Sequence, residues 1–304
     1  MPAFSALSKI GSRPVLAYYY AQKAIRWAPL RRAMGATIAA LIGRPSGVGP
    51  KAAEAAAVAA ELNDVGISFL PQMNITESQL QDIRTYLRRC QAIDQYDETT
   101  AIDVEGGTPP FTDRAFYRIN DVLECPTLMN IANDPLVLDA VGRHLGARPT
   151  IALVQIWWTL GEHHVPGRLH YDDVYHRDVD DFRFVKLFAY LTDATANTGA
   201  HSFVKRSHRS ETLIRRGPIS DDEVHSNFAP QDIMTIEGKA GTVFIEDTWG
   251  IHRPLLATEG RRLIFSVLYA LTPWVPMNSS HVPSLQLPRG FDPQVNRHFY
   301  KIPG

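Results

Sequence analysis

The stretch Phe184-Val-Lys-Leu-Phe-Ala-Tyr-Leu191 decides the fold class, because it is apolar, rich in residues that favour strands, and followed by the turn Asn197-Thr-Gly199. Three further stretches have the same character: Ile151–Leu160, Thr242–Glu246 and Leu263–Leu271. No helical pattern alternates with these strands. The sequence therefore predicts an antiparallel barrel or sandwich and not a parallel sheet.

Helical patterns precede the strands. An alanine-rich helix is predicted over Ala52–Asn63, a second over Thr76–Arg89 that opens with a capping box, and a third from Asp134-Pro135 to Gly146. Gly66-Ile-Ser-Phe-Leu-Pro71 is predicted as a short strand, and residues 91–115 as loop because they have no periodicity. The expected class is mainly β with N-terminal helices.

Length and composition indicate one large domain. The 304 residues are 45% hydrophobic, enough for a single core over 51–304, with the Pro-rich tail 274–304 laid over it. A net charge of -1 gives no reason to expect a nucleic-acid partner. Only Cys90 and Cys125 occur, without a CxxC pair, which indicates a reducing compartment such as the cytoplasm.

The N-terminal segment 1–50 differs from the rest of the chain. Residues 1–53 hold eight basic residues and no acid, together with several aromatic residues, and 43–50 is expected to be a linker. One interpretation is a basic amphipathic segment that binds an anionic membrane, which would make the protein peripheral on the inner face of the membrane. The other is a helical arm packed on the core with its charges in water. A mitochondrial transit peptide is a third interpretation.

The triplet His170-Tyr171-Asp172 supplies a candidate metal site. Residues two apart on a strand face the same way, so the imidazole and the carboxylate can reach one cation. His252, between two predicted strands, is expected to be the third ligand. Two histidines and one carboxylate on one face are the ligand set of non-haem Fe(II) oxygenases.

Other histidines and acids receive structural interpretations. The adjacent pair His163-His164 is expected in a loop, since neighbours on a strand face opposite ways. Four further histidines are expected to be structural or to face the substrate: His176, His201, His208 and His225. The acidic run Asp178, Asp180 and Asp181 is expected to form a solvated loop edge, with a lid as the alternative.

Three ordered blocks resemble the phytanoyl-CoA dioxygenase family of 2-oxoglutarate oxygenases. They are Leu169–Asp172; Phe184–Asp193 continuing through Asn197-Thr-Gly199 to Ser207-His208; and Gly241–Asp247 with His252-Arg-Pro254 and Arg261-Arg262. The resemblance covers about residues 54–273. The sequence departs from the family pattern at Lys205-Arg206, where Pro-Gly is usual, and at Tyr171, where Gln is frequent.

The resemblance implies a double-stranded β-helix (jelly roll, cupin-like) core and a dioxygenase that uses Fe(II), 2-oxoglutarate and O₂, with Asp172 favouring hydroxylation over halogenation. It implies that Arg261, with Arg262 close behind, anchors the distal carboxylate of 2-oxoglutarate. It further implies roles around the cosubstrate and substrate for a set of residues: Gln155, Thr159 and Phe188 near 2-oxoglutarate, and Tyr171, Tyr117 and Arg118 near the substrate.

Two other functions use the same residues. A barrel metalloenzyme with Zn or Mn could carry out hydrolysis or isomerisation through the three ligands, although it would not need the arginine pair. A non-catalytic barrel that docks on membranes through residues 1–50 would be expected to lose a ligand. The expected substrate is a small molecule or, if the N-terminal segment binds membranes, a lipid-linked one such as the sugar of a glycolipid.

Overall fold

A computed structural model describes residues 14–25, 27–43, 51–95, 97–105, 112–161, 173–215, 217–274 and 283–302. Its helices are α1 Pro14–Ala24, α2 Ala28–Ile42, α3 Ala52–Asp64, α4 Glu77–Leu87, α5 Ile119–Leu123, α6 Pro126–Ala132, α7 Pro135–Leu145, α8 Asp221–Asn227 and α9 Pro293–Asn296. Its strands are β1 Ile67–Phe69, β2 Ala92–Asp94, β3 Ala101–Ile102, β4 Arg114–Tyr117, β5 Thr150–Leu160, β6 Phe184–Tyr190, β7 His201–Val204, β8 Ile233–Ile236, β9 Val243–Glu246, β10 His252–Pro254, β11 Arg261–Ala270, β12 Leu285–Gln286 and β13 Tyr300–Lys301.

Two antiparallel sheets form the centre of the fold. The larger has the strand order β1-β9-β6-β11-β5-β4-β2-β3, and the smaller has the order β10-β7-β8. Their facing sides share one buried cluster, in which Phe188 and Phe244 of the large sheet meet Phe203 and Ile236 of the small one. This is the predicted jelly roll, mainly β with helices at the N-terminal side.

Strand β11 lies at the centre of the large sheet and separates two environments. Leu263 and Phe265 face the helices and belong to the main core, whereas Arg262, Ile264 and Ser266 face a cavity between the sheets. Alternation along a strand requires this division. Nine of the ten residues of the strand are buried, so apolar side chains occur on both of its faces.

The helices cover the outer face of the large sheet, and their local signals agree with the prediction. The Thr76 hydroxyl accepts a hydrogen bond from Gln79 N while the Gln79 side chain accepts from Thr76 N, which completes the capping box of α4. Asp134 caps α7 by accepting from Leu136 N at 2.8 Å. Gly146 ends that helix with φ 74°, a left-handed conformation that favours glycine.

The prediction of a loop over residues 91–115 is wrong in part. Ala92–Asp94, Ala101–Ile102 and the first residues of Arg114–Tyr117 are strands that extend the large sheet beyond β5. These strands have two to four residues. These strands form because they pair with partners distant in sequence, so no local periodicity of hydrophobic residues predicts them.

The described part of the N-terminal segment packs on the barrel. The Tyr18 hydroxyl donates to Asp181 Oδ1 at 2.8 Å, and the Arg31 guanidinium donates to the Asp181 carbonyl. Arg31 is buried and lies 4.0 Å over the Trp249 ring. The arm is therefore packed on the core, but Arg31 is not in water as that interpretation assumed. Residues 44–50 of the expected linker lie outside the described residues.

The C-terminal residues 283–302 also lie against the domain. Val295, Phe299 and Tyr300 are buried in the main core, and the Tyr300 hydroxyl donates to the Leu123 carbonyl at 3.0 Å.

None of the described helices is long and apolar enough to cross a bilayer.

Candidate active site

Three potential metal ligands meet at one end of the cavity between the sheets. One nitrogen each of His176 and His252 and a carboxylate oxygen of Asp178 all lie within 4.8 Å of one another. His252 opens β10, while His176 and Asp178 lie in the segment before β6. His176 Nε2 is 3.6 Å from Asp178 Oδ1, and His252 Nε2 is 3.4 Å from Asp178 Oδ2. The spacing leaves room for one cation between the three groups.

Backbone pairing brings the two histidines together. His176 N donates to the His252 carbonyl at 3.0 Å, and His252 N donates to the His176 carbonyl at 3.1 Å. Directly paired residues in an antiparallel bridge project their side chains to the same side. Asp178 follows His176 by two residues, and its backbone N–H is held by the Thr248 carbonyl at 2.9 Å.

The hydrogen bonds of both imidazole rings fix their tautomers. His176 Nδ1 donates to the Val174 carbonyl at 2.8 Å, and His252 Nδ1 donates to the Gly250 carbonyl at 3.0 Å. A carbonyl oxygen can only accept, so in the neutral ring Nδ1 carries the hydrogen and Nε2 keeps its lone pair. Both Nε2 atoms face Asp178, as metal ligation requires.

Lys186 holds the carboxylate of Asp178. Its Nζ is 2.6 Å from Asp178 Oδ2 and 3.1 Å from Asp180 Oδ2. Burial acts to raise the pKa of Asp178, but Lys186 and His252 outweigh burial and hold that pKa well below its usual range. Burial also acts to lower the pKa of Lys186, and the two carboxylates outweigh it and raise that pKa. Asp178 is therefore ionised and oriented toward the histidines.

Arg262 supplies a buried cation in the same cavity. Its guanidinium donates to the Gly199 carbonyl and, at 2.9 Å, to Thr159 Oγ1, while its Nε is buried without a partner in the described residues. Burial lowers its pKa to about 10, so the group stays charged at neutral pH. The adjacent Arg261 points the other way and donates to the Val104 carbonyl. The cavity wall therefore contains the second arginine of the pair and not the first.

The other described residues of the predicted site either line the cavity or contact a residue that lines it. Gln155, Phe188, Tyr117 and Arg118 line the cavity, which has a volume of about 950 Å³. Thr159 does not itself line the cavity, but its hydroxyl accepts a hydrogen bond from Arg262, which does. Cavities of this size accept ligands as large as a cosubstrate together with a small molecule.

Two of the predicted metal ligands lie outside the described residues. These are His170 and Asp172, together with Tyr171 between them, so their roles stay predictions. Among the described residues, the ligand atoms of His176 and Asp178 cluster with His252, and these two come from a second triplet of the same form, His176-Arg177-Asp178. The ligand atoms of His201 and Glu246 also lie close to that of His252. The signal was present in the sequence, because the spacing rule applied to His170 and Asp172 applies equally to this triplet.

The prediction that Asp178, Asp180 and Asp181 form a solvated edge is wrong. Asp181 is fully buried and accepts hydrogen bonds from Phe182 N, Thr272 N, Thr272 Oγ1 and Tyr18. Asp178 and Asp180 share Lys186 in the wall of the cavity. Buried carboxylates need such partners, and for Asp181 two of them, Tyr18 and Thr272, come from segments far away in the sequence.

A second buried pair lies next to His252. His201 Nδ1 is 3.1 Å from Glu246 Oε2, and both side chains are almost wholly buried. Burial lowers the pKa of His201 to about 3, helped by the charge of Arg262, and burial raises the pKa of Glu246 to about 8. Both groups are therefore neutral near pH 7. The sequence offered no signal for Glu246, which occurs inside an ordinary strand pattern.

The remaining wall of the cavity combines aromatic and polar groups. Phe116 and Trp157 stack with ring centroids 5.8 Å apart and an interplanar angle of 17°. Their cross-strand pairing between β4 and β5 explains this contact. Asp94, Glu98 and Asp121 add carboxylates to the same cavity. This wall can offer a ring-stacking surface together with hydrogen-bond acceptors.

Two solved structures have a similar fold. The structure is similar to the epimerase SnoN in complex with Fe3+, alpha ketoglutarate and nogalamycin RO, at 15% identity and a TM-score of 0.53, over 83% of this chain and 96% of that one. It is also similar to EctD from S. alaskensis with bound Fe, at 18% identity and a TM-score of 0.51, over 69% and 74% of the two chains. At these identities the likeness shows a shared fold.

A search of curated proteins found no match to the sequence. The family model of phytanoyl-CoA dioxygenase (PhyH) matches residues 76–254, which include β5 to β10 and all three clustered ligands. That match covers more than half of the 304 residues. The chain therefore belongs to the phytanoyl-CoA dioxygenase (PhyH) family.

Proposed function

We propose that the protein is an Fe(II)- and 2-oxoglutarate-dependent dioxygenase whose iron is held by His176, Asp178 and His252. The observation that carries the proposal is the facing arrangement of two Nε2 atoms and one ionised carboxylate, each oriented by a neighbouring group. The ligand set suits Fe(II) and leaves coordination positions for other molecules. Family membership supports the same chemistry.

Arg262 is the proposed anchor for 2-oxoglutarate. A planar guanidinium can hold a carboxylate through two hydrogen bonds, and burial strengthens the attraction. Arg262 lies in the cavity with the ligands, and its Nε has no hydrogen-bond partner among the described residues. Phe188 and Gln155 line the same cavity. They would orient the bound cosubstrate and keep water away from it. Arg261 is not proposed for this role, because it donates to Val104 on the other side of β11.

The bound iron, 2-oxoglutarate and O₂ supply the oxidising chemistry. In a hydroxylation one oxygen atom enters the substrate C–H bond and the other enters succinate, so the products are alcohol, succinate and CO₂. The protein keeps Asp178 ionised through Lys186 and holds both Nε2 atoms unprotonated. If Asp178 binds the iron, its carboxylate would occupy a coordination position that a halide needs, which would favour hydroxylation over halogenation.

A hydrolase or isomerase with Zn or Mn could use the same three ligands. Arg262 favours the oxygenase, because metal-assisted hydrolysis has no need for a buried arginine in the wall of the cavity. The experiment that separates the two is O₂ consumption by protein reconstituted with Fe(II). Consumption that requires 2-oxoglutarate and releases succinate would support the oxygenase. Turnover with Zn and without 2-oxoglutarate would support the alternative.

The proposed substrate carries a hydroxylated ring, with a lipid-linked sugar as the first candidate. The stacked pair Phe116 and Trp157 provides an apolar surface for such a ring, and the carboxylates of Asp94, Glu98 and Asp121 can accept its hydroxyl hydrogens. Succinate release should be measured against a panel of lipid-linked sugars, free sugars and acyl-CoA compounds. Release with acyl-CoA compounds alone would contradict this part of the proposal.

The N-terminal arm is the proposed contact with a membrane surface, on the cytoplasmic side. Trp27, directly before helix α2, is 67% exposed, and Leu30 and Leu41 of that helix are 42% and 83% exposed. Arg32 of the same helix is also exposed. Aromatic and aliphatic side chains next to basic residues suit an anionic bilayer. Co-sedimentation with anionic vesicles should fall in a Trp27→Ser, Leu41→Ser variant, and unchanged co-sedimentation would contradict the proposal.

A further inference from the structure

A second cavity lies between helix α2, helix α3 and the barrel, and has a volume of about 900 Å³. It shares no lining residue with the cavity that contains the metal ligands. Four arginines line it, Arg31, Arg32, Arg183 and Arg209, against the two carboxylates of Asp64 and Asp247. The wall therefore carries an excess of positive charge before either of its histidines is counted.

Two of these arginines are satisfied only by carbonyl groups among the described residues. Arg31 donates to the carbonyls of Gln22 and Asp181, and Arg183 Nη1 donates to the carbonyl of Leu145 at 3.0 Å. Burial lowers the pKa of both, to about 10 for Arg31, so both remain charged at neutral pH. The charges of Asp181 and Asp247 partly offset the cost of burying Arg31, whereas none does so for Arg183 among the described residues. A charge removed from water without a carboxylate partner is costly, and an anion bound at Arg183 would offset that cost.

The carboxylates of the wall are already engaged. Asp247 Oδ2 is 3.3 Å from His144 Nε2, and Asp64 is 3.2 Å from Arg209 and 3.5 Å from Arg206. Neither forms an ion pair with Arg31 or Arg183. Arg32 pairs with Glu211 at 3.8 Å, and the charges of Asp181 and Asp247 act on Arg31. Arg183 is therefore the arginine of this wall for which no carboxylate among the described residues offsets burial.

The position of Arg183 is built into the fold. A Cβ on Gly35 would lie 2.9 Å from Arg183 Cγ, so the glycine in α2 leaves the space that the arginine stem occupies. On the opposite wall His144 is nine-tenths buried, and its Nδ1 has no hydrogen-bond partner among the described residues. The Asp247 carboxylate can only accept, so Nε2 carries the hydrogen of the neutral ring, and Nδ1 can accept a hydrogen bond from a protonated phosphate oxygen.

We propose that this second cavity binds a phosphate group, with Arg183, Arg31 and Arg32 as the main donors. A guanidinium fork matches phosphate oxygens, and several arginines match the double charge of a phosphate monoester better than a single carboxylate would. The phosphate belongs to a lipid headgroup or to a free phosphorylated metabolite. The Arg32 side chain is 62% exposed, so the cavity is open to solvent beside Arg32 and can be reached by a headgroup as well as by a free metabolite.

The test is binding of inorganic phosphate and pyrophosphate by calorimetry, together with flotation on phosphatidylcholine vesicles with and without phosphatidic acid. Arg183→Gln and the surface variant Arg32→Gln should each weaken binding roughly tenfold or more. The exposed Arg89→Gln is the matched control and should bind like the unaltered protein. Arg32 is 62% exposed, so its variant should fold even if Arg183→Gln does not.

Each outcome separates one source from another. Arginine-dependent binding of the free anions identifies a soluble phosphate ligand, and arginine-dependent binding of phosphatidic acid vesicles alone identifies a headgroup. Absence of both, or binding that is unchanged in Arg183→Gln and Arg32→Gln, overturns the proposal. His176→Ala should bind phosphate normally, so a failure of the iron proposal would be seen separately.

Discussion

His176 and His252 are separated by 76 positions in the sequence, yet each donates its backbone N–H to the carbonyl of the other, at 3.0 and 3.1 Å. This isolated bridge places two imidazole rings 4.4 Å apart, centroid to centroid. Neither ring position depends on a flexible loop alone. The geometry of the proposed metal site is therefore a product of strand pairing.

Removal of Lys186 should weaken metal binding without removing a ligand. Lys186 Nζ is 2.6 Å from Asp178 Oδ2, so Lys186→Met should free the carboxylate and leave it beside the like charge of Asp180. We expect the affinity for Fe(II) to fall about 10- to 100-fold, the range seen when outer partners of metal ligands are lost. A Co(II) or Fe(II) titration under anaerobic conditions measures this.

The control for that change is Lys239→Met. Lys239 is 88% exposed and pairs with Asp193 at the surface, so its removal should leave metal affinity unchanged. Equal affinities for the Lys186 and Lys239 variants would show that Lys186 has no role in orienting Asp178.

The two adjacent arginines of β11 should have opposite effects on 2-oxoglutarate. Arg262 faces the cavity and Arg261 faces Val104, so Arg262→Gln should raise the KM for 2-oxoglutarate by roughly tenfold or more, as expected for a lost charge-assisted hydrogen bond. Arg261→Gln should change the KM by less than about twofold, since it lies outside the cavity. The measurement is succinate formation at varied 2-oxoglutarate, and a larger effect of Arg261→Gln would reverse the assignment.

Loss of one hydroxyl should loosen the N-terminal arm. The Tyr18 hydroxyl donates a hydrogen bond to the buried carboxylate of Asp181. In a Tyr18→Phe variant this carboxylate loses one donor and keeps three, which are Phe182 N, Thr272 N and Thr272 Oγ1. The free energy of unfolding in urea should therefore fall by about 1–2 kcal/mol. Limited proteolysis near Ile25 should become faster.

Tyr20→Phe is the matched change on the same helix. Tyr20 is 38% exposed and its hydroxyl makes no hydrogen bond to a described residue, so its loss should change the free energy of unfolding by less than about 0.5 kcal/mol. If the Tyr18 and Tyr20 variants unfold alike, the contact with Asp181 does not hold the arm.

Local signals in the sequence predicted the helices well. The capping box of Thr76 and Gln79 and the Asp134-Pro135 start both act within one turn, so they could be recognised without knowledge of the fold. The long strands could be recognised because both of their faces are buried. The short strands near Ala92 and Ala101 could not, since distant partners create them.

The site was harder to predict for two physical reasons. Because side chains alternate between the two faces of a strand, only one of Arg261 and Arg262 can face the cavity. Strand β11 is apolar on both faces, so its hydrophobic pattern does not indicate which of the two arginines that is. In the same way, the two H-x-D triplets at 170–172 and 176–178 satisfy the same spacing rule. Only the long-range pairing with His252 distinguishes His176, and that pairing is visible in the structure.

The most direct measurement is the weak visible absorption band that forms when Fe(II) and 2-oxoglutarate are added to the protein without oxygen. The unaltered protein should form the band, and His176→Ala and Asp178→Ala should abolish it. His170→Ala and Asp172→Ala should retain it. A band that survives in His176→Ala but disappears in His170→Ala would contradict the proposed ligand set, and no band in the unaltered protein would contradict the oxygenase itself.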